Sequence, residues 1–307
     1  MRSFVAVLAF SLLPWPSMAG AQGLSEYGIE GMHVVSTAAG EGHASVSADG
    51  QRIVWGAIDR EGGAGGKDLW HARLRDGRWQ DAAPLALNTR ADEFDPMLSP
   101  DGRWLYFRSN RRGGHGGDDL YRAPALADGG FGKPVNLGAG VNTDGDEWAP
   151  MPGPDGDSLL FSSDGHGGQG RHDIFVAHWD GVAFSAPTPL PGAINTPDDE
   201  FDAAWLGDGA TLVFARGSRA NEAPVRVFVA QCDGQAYALA EPMALSFNTA
   251  DQVTFAPAPD WSKPTELLVS GIARSPRAGK LDIYRTVSPK VTGKAGCLRA
   301  SVAPPPR

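Results

Sequence analysis

Residues 92–123 read DEFDPMLSPDGRWLYFRSNRRGGHGGDDLYRA, and most landmarks of that stretch return at a regular distance along the chain. Its Asp101-Gly102 pair recurs as Asp49-Gly50, Asp155-Gly156 and Asp208-Gly209, at spacings of 52 to 54 residues, and degenerates to Asp260-Trp261. Self-similarity at such a period marks stacked supersecondary units that cannot bury their apolar faces alone, and roughly 40 to 55 residues per unit suits a four-stranded propeller blade.

Each unit divides into four short runs. The first follows Asp-Glu, as in Phe94 to Leu98, and ends at the Asp-Gly turn, whose residues accept the positive φ of a tight hairpin. The second is apolar throughout (Trp104 to Phe107, Leu159 to Phe161, Leu212 to Phe214), as expected of strands covered on both faces. A glycine-rich loop leads to the third run, which opens with Asp68, Asp119, Asp173, Arg226 or Asp282. A second turn at Asp76, Asp128, Asp180 and Asp233 precedes an aromatic and an outer strand ending near Asn-Thr. No stretch carries the 3.6-residue apolar period of an amphipathic helix, and 40 glycines with 24 prolines suit an all-β chain rich in turns.

The ends show how a ring would close. The fifth repeat stops after its third run, whereas Tyr27 precedes Thr37 by ten residues as Trp79 precedes Thr89. Residues 27–36 therefore read as the missing fourth strand of the last blade, which would leave no unpaired sheet edge. The expected architecture is an all-β, five-bladed propeller of four-stranded antiparallel sheets over residues 22–287. Its repeats lie near 37–88, 89–142, 143–195, 196–248 and 249–287, followed by a C-terminal tail at 288–307 that ends in the proline-rich Val302 to Arg307. Six blades are the alternative count.

Arg2, the apolar run Phe4 to Leu13 and Ala19-Gly20-Ala21 read as an export signal at 1–21, cleaved near Ala21 to release a periplasmic or secreted protein. The run is too short to span a bilayer. The whole chain carries a net charge of −9, and loss of Arg2 takes it to −10, which disfavours nucleic acid and anionic lipid as partners. In an oxidising compartment Cys232 and Cys297 could form one bridge; two unpaired thiols are the other reading.

The stretch 92–123 and its counterpart GDEWAPMPGPDGDSLLFSSDGHGGQGRHDIFVA at 145–177 resemble the TolB-type WD-forty-like propeller repeat, with its Ser-Pro-Asp-Gly turn and Asp-Leu/Ile-aromatic strand. The resemblance spans about residues 37 to 286 and implies a bacterial envelope protein that binds another protein or a cell-wall component; with no catalytic motif in view, the expected role is a non-enzymatic binding module, acting as a monomer. The family's additional α/β domain is not visible here, and its ring resembles six shorter blades. A propeller fold does not by itself carry an activity.

The most suggestive constellation is a repeated acid. Glu41, Glu93, Glu147 and Glu200 each stand eight residues before a turn aspartate, and Gln252 takes the fifth position. The first strand of such a blade is innermost, so these side chains are expected near the central channel. Two carboxylates about 8 Å apart repel by roughly 2 kcal/mol at an effective dielectric of 20, so such a ring needs water, cations or backbone donors. Two readings stand. The ring is a ligand or cation site, calcium being the ion suited to oxygen donors, with no other cofactor implied; or each acid caps backbone N–H groups, which repetition in every blade favours. Phe94, Trp148 and Phe201 directly follow the acids and either pack between blades or offer a stacking platform at the channel mouth. Gly-x-Ser-x-Gly and metal-binding His or Cys motifs are absent, and His115, His166 and His172 read as exposed loop residues. The enzymatic alternative is a carbohydrate-active propeller drawing an acid and a base from Glu93, Glu147 and Glu200.

Overall fold

The computed structural model describes residues 26–207, 209–218 and 224–300; the export segment, Asp208 and the run Val302 to Arg307 lie outside them. Strand β1 (Glu26–Ile29) comes first. Blade 1 follows as β2 (Gly40–Val46), β3 (Arg52–Ile58), β4 (Lys67–Arg75) and β5 (Arg78–Pro84). Blade 2 is β6 (Glu93–Leu98), β7 (Trp104–Ser109), β8 (Asp119–Pro124) and β9 (Val135–Asn136). Blade 3 is β10 (Glu147–Pro152), β11 (Ser158–Ser163), β12 (Asp173–His178) and β13 (Thr188–Pro189). Blade 4 is β14 (Asp199–Leu206), β15 (Thr211–Gly217), β16 (Arg226–Gln231) and β17 (Glu241–Pro242). Blade 5 has β18 (Thr254–Pro259), β19 (Glu266–Gly271) and β20 (Asp282–Val287), and β1 completes it in the order β1-β20-β19-β18.

The ring is five sheets, each antiparallel. First strands touch in a closed circuit, β2 to β6, β10, β14, β18 and back to β2, so they surround the axis. Closure is polar as well as apolar. Glu30 N–H donates to the Ile283 carbonyl at 2.7 Å, and the Glu30 carboxylate meets Arg285 Nε at 2.6 Å.

The apolar second runs bury as their composition requires. All six residues of β11 are buried. An aromatic in the second strand faces an aromatic in the third: Phe107 stacks with Tyr121 (5.9 Å), Phe161 with Phe175 (6.2 Å) and Phe214 with Phe228 (6.1 Å). Cross-strand aromatic pairs favour this register, and each fully buried ring contributes roughly 2 kcal/mol by its area.

Residues 288–300, outside the repeat pattern and expected as a tail, instead form a strap on blade 4. The reason is covalent and steric. Cys297, in the single-turn helix α1 (Cys297–Ala300), is bridged to Cys232 with Cα atoms 6.1 Å apart. Lys294 N–H donates to the Cys232 carbonyl at 2.8 Å. Gly293 passes so close that an added Cβ would sit 2.0 Å from the Ala210 carbonyl oxygen, leaving room for glycine only. The bridge spans 65 residues, a loop whose cross-link removes about 4 kcal/mol of unfolded-state entropy in the chain-entropy model. Cys232→Ser should therefore lower the urea midpoint under non-reducing conditions, and wild type unfolded with reductant should match the variant. Equal midpoints for wild type and variant without reductant would show that the strap adds no stability through its bridge.

Candidate functional site

The repeated Asn-Thr and Asp-Glu motifs form one device. Asn88 clamps Leu69 of β4 with both halves of its amide, accepting from its N–H and donating to its carbonyl, each at 2.9 Å. Asn142, Asn195 and Asn248 hold Leu120, Ile174 and Val227 likewise. The next residue, a threonine, donates its N–H and hydroxyl to the glutamate four positions on. The pairs Thr37–Glu41, Thr89–Glu93, Thr143–Glu147 and Thr196–Glu200 do so at 2.5 to 2.9 Å. Ser109, Ser163 and Arg216 of the second strands add a further donor to Glu93, Glu147 and Glu200, and Arg60 lies 3.6 Å from Glu41. The clamp thus joins the third strand of one blade to the first two strands of the next. Burial raises the Glu200 carboxyl to about 7 despite Thr196 and Arg216, and raises Glu41 and Glu147 in the same direction.

All four glutamates are 0 % exposed, and none lines the axial cavity. The fifth position also differs from its expected place. Register across β18 and β19 pairs Thr254 with Gly271 and Phe255 with Ser270, which makes Thr254, not Gln252, the counterpart of Glu93. The cause is a two-residue offset of the fifth turn: Asp260 occupies the place of Ser99, so counting back from the turn lands two residues early.

What reaches the axis is the residue two beyond each glutamate. Every first strand carries a bulge there, with the register shifting between Gly42/Ser45, Phe94/Met97, Trp148/Met151, Phe201/Ala204 and Phe255/Ala258. The bulged residues His43, Asp95, Ala149, Asp202 and Ala256 all have φ between 50° and 54°. A bulge turns its side chain out of the alternation, here toward the axis. These five, with Pro96, Pro150 and Pro257, line a cavity of about 20 Å³, enough for one water.

The axis is plugged by charge. His43 Nε2 lies 3.2 Å from Asp95 Oδ1 and 3.0 Å from Asp202 Oδ1. Asp95 also accepts from Arg108 Nε (2.8 Å) and Ala149 N–H (3.0 Å), and Asp202 accepts from Ala256 N–H (3.0 Å). Arg108 continues the chain of charges to Asp118, which accepts from Trp148 Nε1 at 3.0 Å. Burial alone would lower the His43 imidazolium, but Asp202 and Asp95 outweigh it and raise it above the ordinary value. Burial would raise Asp95, and His43 with Arg108 outweigh it and lower it.

The aromatic positions divide. Phe94 is 4 % exposed and lies on blade 1 where Gly56 leaves space; an added Cβ there would meet Phe94 Cε2 at 2.3 Å. Trp148 and Phe201 stay half-buried and meet edge to face at 6.4 Å. Sequence reasoning placed His172 on an exposed loop, yet it is 0 % exposed and stacks on Trp148 at 3.8 Å with an interplanar angle of 16°. Trp148 lies on β10 of the same blade and His172 just before β12, and spacing along the chain does not report that the two side chains stack. His115 is exposed, and His166 binds the Val141 carbonyl at 2.7 Å. Asp68, Asp119, Asp173 and Asp282 each accept backbone N–H groups of their own glycine-rich loops, as at Ala64 (3.0 Å) and His115 (2.6 Å).

No protein-family model matches the chain, and no curated protein matches it. Among solved structures it is similar to an endo-arabinase from Bacteroides thetaiotaomicron, at 12 % identity and TM-score 0.57 over 87 % of this chain and 99 % of that one. It is also similar to the α-L-arabinofuranosidase PaAbf62A from Podospora anserina, at 10 % identity and TM-score 0.54 over 86 % of this chain and 97 % of that one. TolB from Acinetobacter baumannii is similar at 13 % identity and TM-score 0.47, over 84 % of this chain and 56 % of that one. The likenesses to the endo-arabinase and the arabinofuranosidase show a shared fold alone. They assign no chemistry.

Two outcomes follow from this geometry. Glu93→Ala strips the acceptor from three hydrogen-bond donors, the Thr89 N–H, the Thr89 hydroxyl and the Ser109 hydroxyl, and removes the ion-pair partner of Arg111, and should cost on the order of 3 kcal/mol in urea unfolding. A loss below about 1 kcal/mol would mean water replaces the clamp. The pH dependence has a definite sign. Raised groups (His43, Glu200, Glu41, Glu147) stabilise fully below their ordinary values and lose that contribution as pH rises through the folded ones. Lowered Asp95 stabilises above its ordinary value and loses that as pH falls. The melting temperature should peak in mildly acid solution and fall toward pH 8, more steeply in wild type than in His43→Gln; identical profiles would disprove the axial charge reading.

Proposed function

We propose that the chain is an exported, non-enzymatic binding module of the bacterial envelope, engaging a protein or cell-wall component through one face of the ring. The observation that carries this reading is the complete engagement of the four repeated carboxylates by threonine and by a further donor or cation, out of reach of solvent. A general acid or base must come within hydrogen-bond reach of the bond it acts on, and these acids are spent on the fold. The same occupancy argues against Glu41, Glu93, Glu147 and Glu200 as a calcium ring. Recognition falls instead to the face where the glycine-rich loops meet the inter-blade connections, with Trp148 and Phe201 as half-buried aromatic anchors beside the charged Arg108–Asp118 pair.

The test combines capture and turnover. Crosslinking in an envelope extract should retain a defined partner, and Trp148→Ala with Phe201→Ala should weaken that capture at least about tenfold while the fold persists. Hydrolysis of arabinan or xylan oligosaccharides by wild type, abolished by Asp202→Asn, would replace this reading. It would identify an enzyme that takes its carboxylates from Asp95 and Asp202, which share one His43 nitrogen.

A further inference from the structure

Three ligand-capable side chains converge in blade 3, apart from the glutamate clamps and from the axis. Asp146 stands just before β10, Asp164 just after β11 and His172 just before β12, with one ligand atom of each within 4.8 Å of the others. His172 is wholly buried, and neither Nδ1 nor Nε2 has a hydrogen-bond partner. Buried polar nitrogens are nearly always paired, so an imidazole left bare on both sides points to a partner of another kind. The stack on Trp148 holds the ring by its face and leaves its edge free for ligation.

The other blades serve as internal controls. Asp146 has a fold role that recurs: it accepts the Asp118 N–H at 2.9 Å as Asp92 accepts from Lys67 (3.2 Å) and Asp199 from His172 (3.2 Å). The backbone-capping role of Asp164 is met in blade 2 by an amide, without a carboxylate, and the His172 side chain has no hydrogen-bonding role in the fold. By strand register their counterparts are Asn110 and Asp118 in blade 2, Gly217 and Val225 in blade 4, and Ile58 and Lys67 in blade 1. Blade 5 has Ile272 and Leu281 there; among the described residues no other blade joins a carboxylate at the first place to an imidazole at the second, and only blade 3 assembles the set.

We propose that Asp146, Asp164 and His172 bind one divalent transition-metal ion of the zinc type through two carboxylate oxygens and one imidazole nitrogen. Mixed nitrogen and oxygen donors suit zinc, whereas calcium takes oxygen donors alone. Two carboxylates and a neutral imidazole balance the ion's charge. Bonds of about 2.1 Å place tetrahedral ligands about 3.4 Å apart, a separation that atoms within 4.8 Å of one another reach by small side-chain adjustments. Arg171, half-exposed and 3.4 Å from Asp164 Oδ2, is displaced in that step. Three protein ligands leave a fourth position for water or for a donor from a bound partner. The inference stands independently of the binding-module reading.

The test is zinc titration of the full mature chain, freed of metal by chelator, read by calorimetry and by melting temperature. Wild type should bind one equivalent and melt higher with zinc than with chelator, with no comparable shift from calcium. Asp164→Asn places in blade 3 the residue blade 2 already carries, where Asn110 accepts the Asp92 N–H at 2.9 Å as Asp164 accepts that of Asp146 at 2.8 Å. It should leave the metal-free melting temperature unchanged and weaken zinc at least about tenfold, and His172→Gln should do the same to zinc. Absence of a zinc-dependent shift in wild type, or zinc binding unchanged in Asp164→Asn, overturns the proposal. Binding unchanged in His172→Gln, or calcium binding as tightly as zinc, overturns it too.

Discussion

Each junction between blades rests on a carboxylate or a small polar residue buried where no water can reach it, and the fold tolerates this only because the chain supplies the donors locally. A threonine four residues upstream gives both its N–H and its hydroxyl, and an asparagine beside it ties the same segment to the preceding blade. Burial disfavours the ionised form, and the donors offset that cost in part, which is why Glu200 is displaced to about 7 and not further. Removing one member of such a network leaves the others stranded unless another group takes its place. Blade 5 shows such a replacement while Asn248 still clamps Val227. Thr254 stands where the acid would be and turns its hydroxyl to the Phe247 carbonyl at 2.7 Å, a self-sufficient substitute that needs no carboxylate.

The clamps fix where the axis gets its chemistry. With the glutamate committed outward, the bulge two residues later delivers a different side chain inward, and here the blades diverge: histidine, aspartate, alanine, aspartate, alanine. One imidazole between two carboxylates closes the centre more firmly than five alanines would, because each charge is neutralised by a neighbour from another blade. The axis therefore acts as a keystone. Arg108 then carries the charge pattern outward to Asp118 and the Trp148 indole, linking the centre to the half-buried aromatic face.

The architecture was legible because its determinants are periodic. The Asp-Gly turns, the apolar second strands and the orphan segment near Tyr27 each report a local requirement, and strand count and ring closure follow from their spacing. Position along the blade was also readable for the acids, but the direction of their side chains was not. A bulge shifts the alternation by one residue, and nothing in Glu-Phe-Asp-Pro distinguishes the residue facing the axis from the one facing the clamp. Counting back from Asp260 points to Gln252 because the fifth turn is displaced by two residues, a displacement visible only in strand pairing. His172 was hidden for a further reason: its burial depends on Trp148, a residue of another strand whose stacking partner cannot be read from spacing. Recurrence in a repeat protein thus reported the scaffold, and the residues that interrupt it, His43, Asp95, Asp164 and His172, reported the individual features.

The union of the first strand with the last sheet joins side chains 255 residues apart, Glu30 and Arg285. During synthesis the leading segment is made at the outset yet has no mate until nearly the whole polypeptide has emerged, so four blades must wait as an open arc. That arc exposes a raw flank at each end for as long as elongation lasts. A circular permutant that moves residues 26–30 to follow Val287 would make the same hydrogen bonds between near neighbours, converting a pairing across 255 residues into a hairpin.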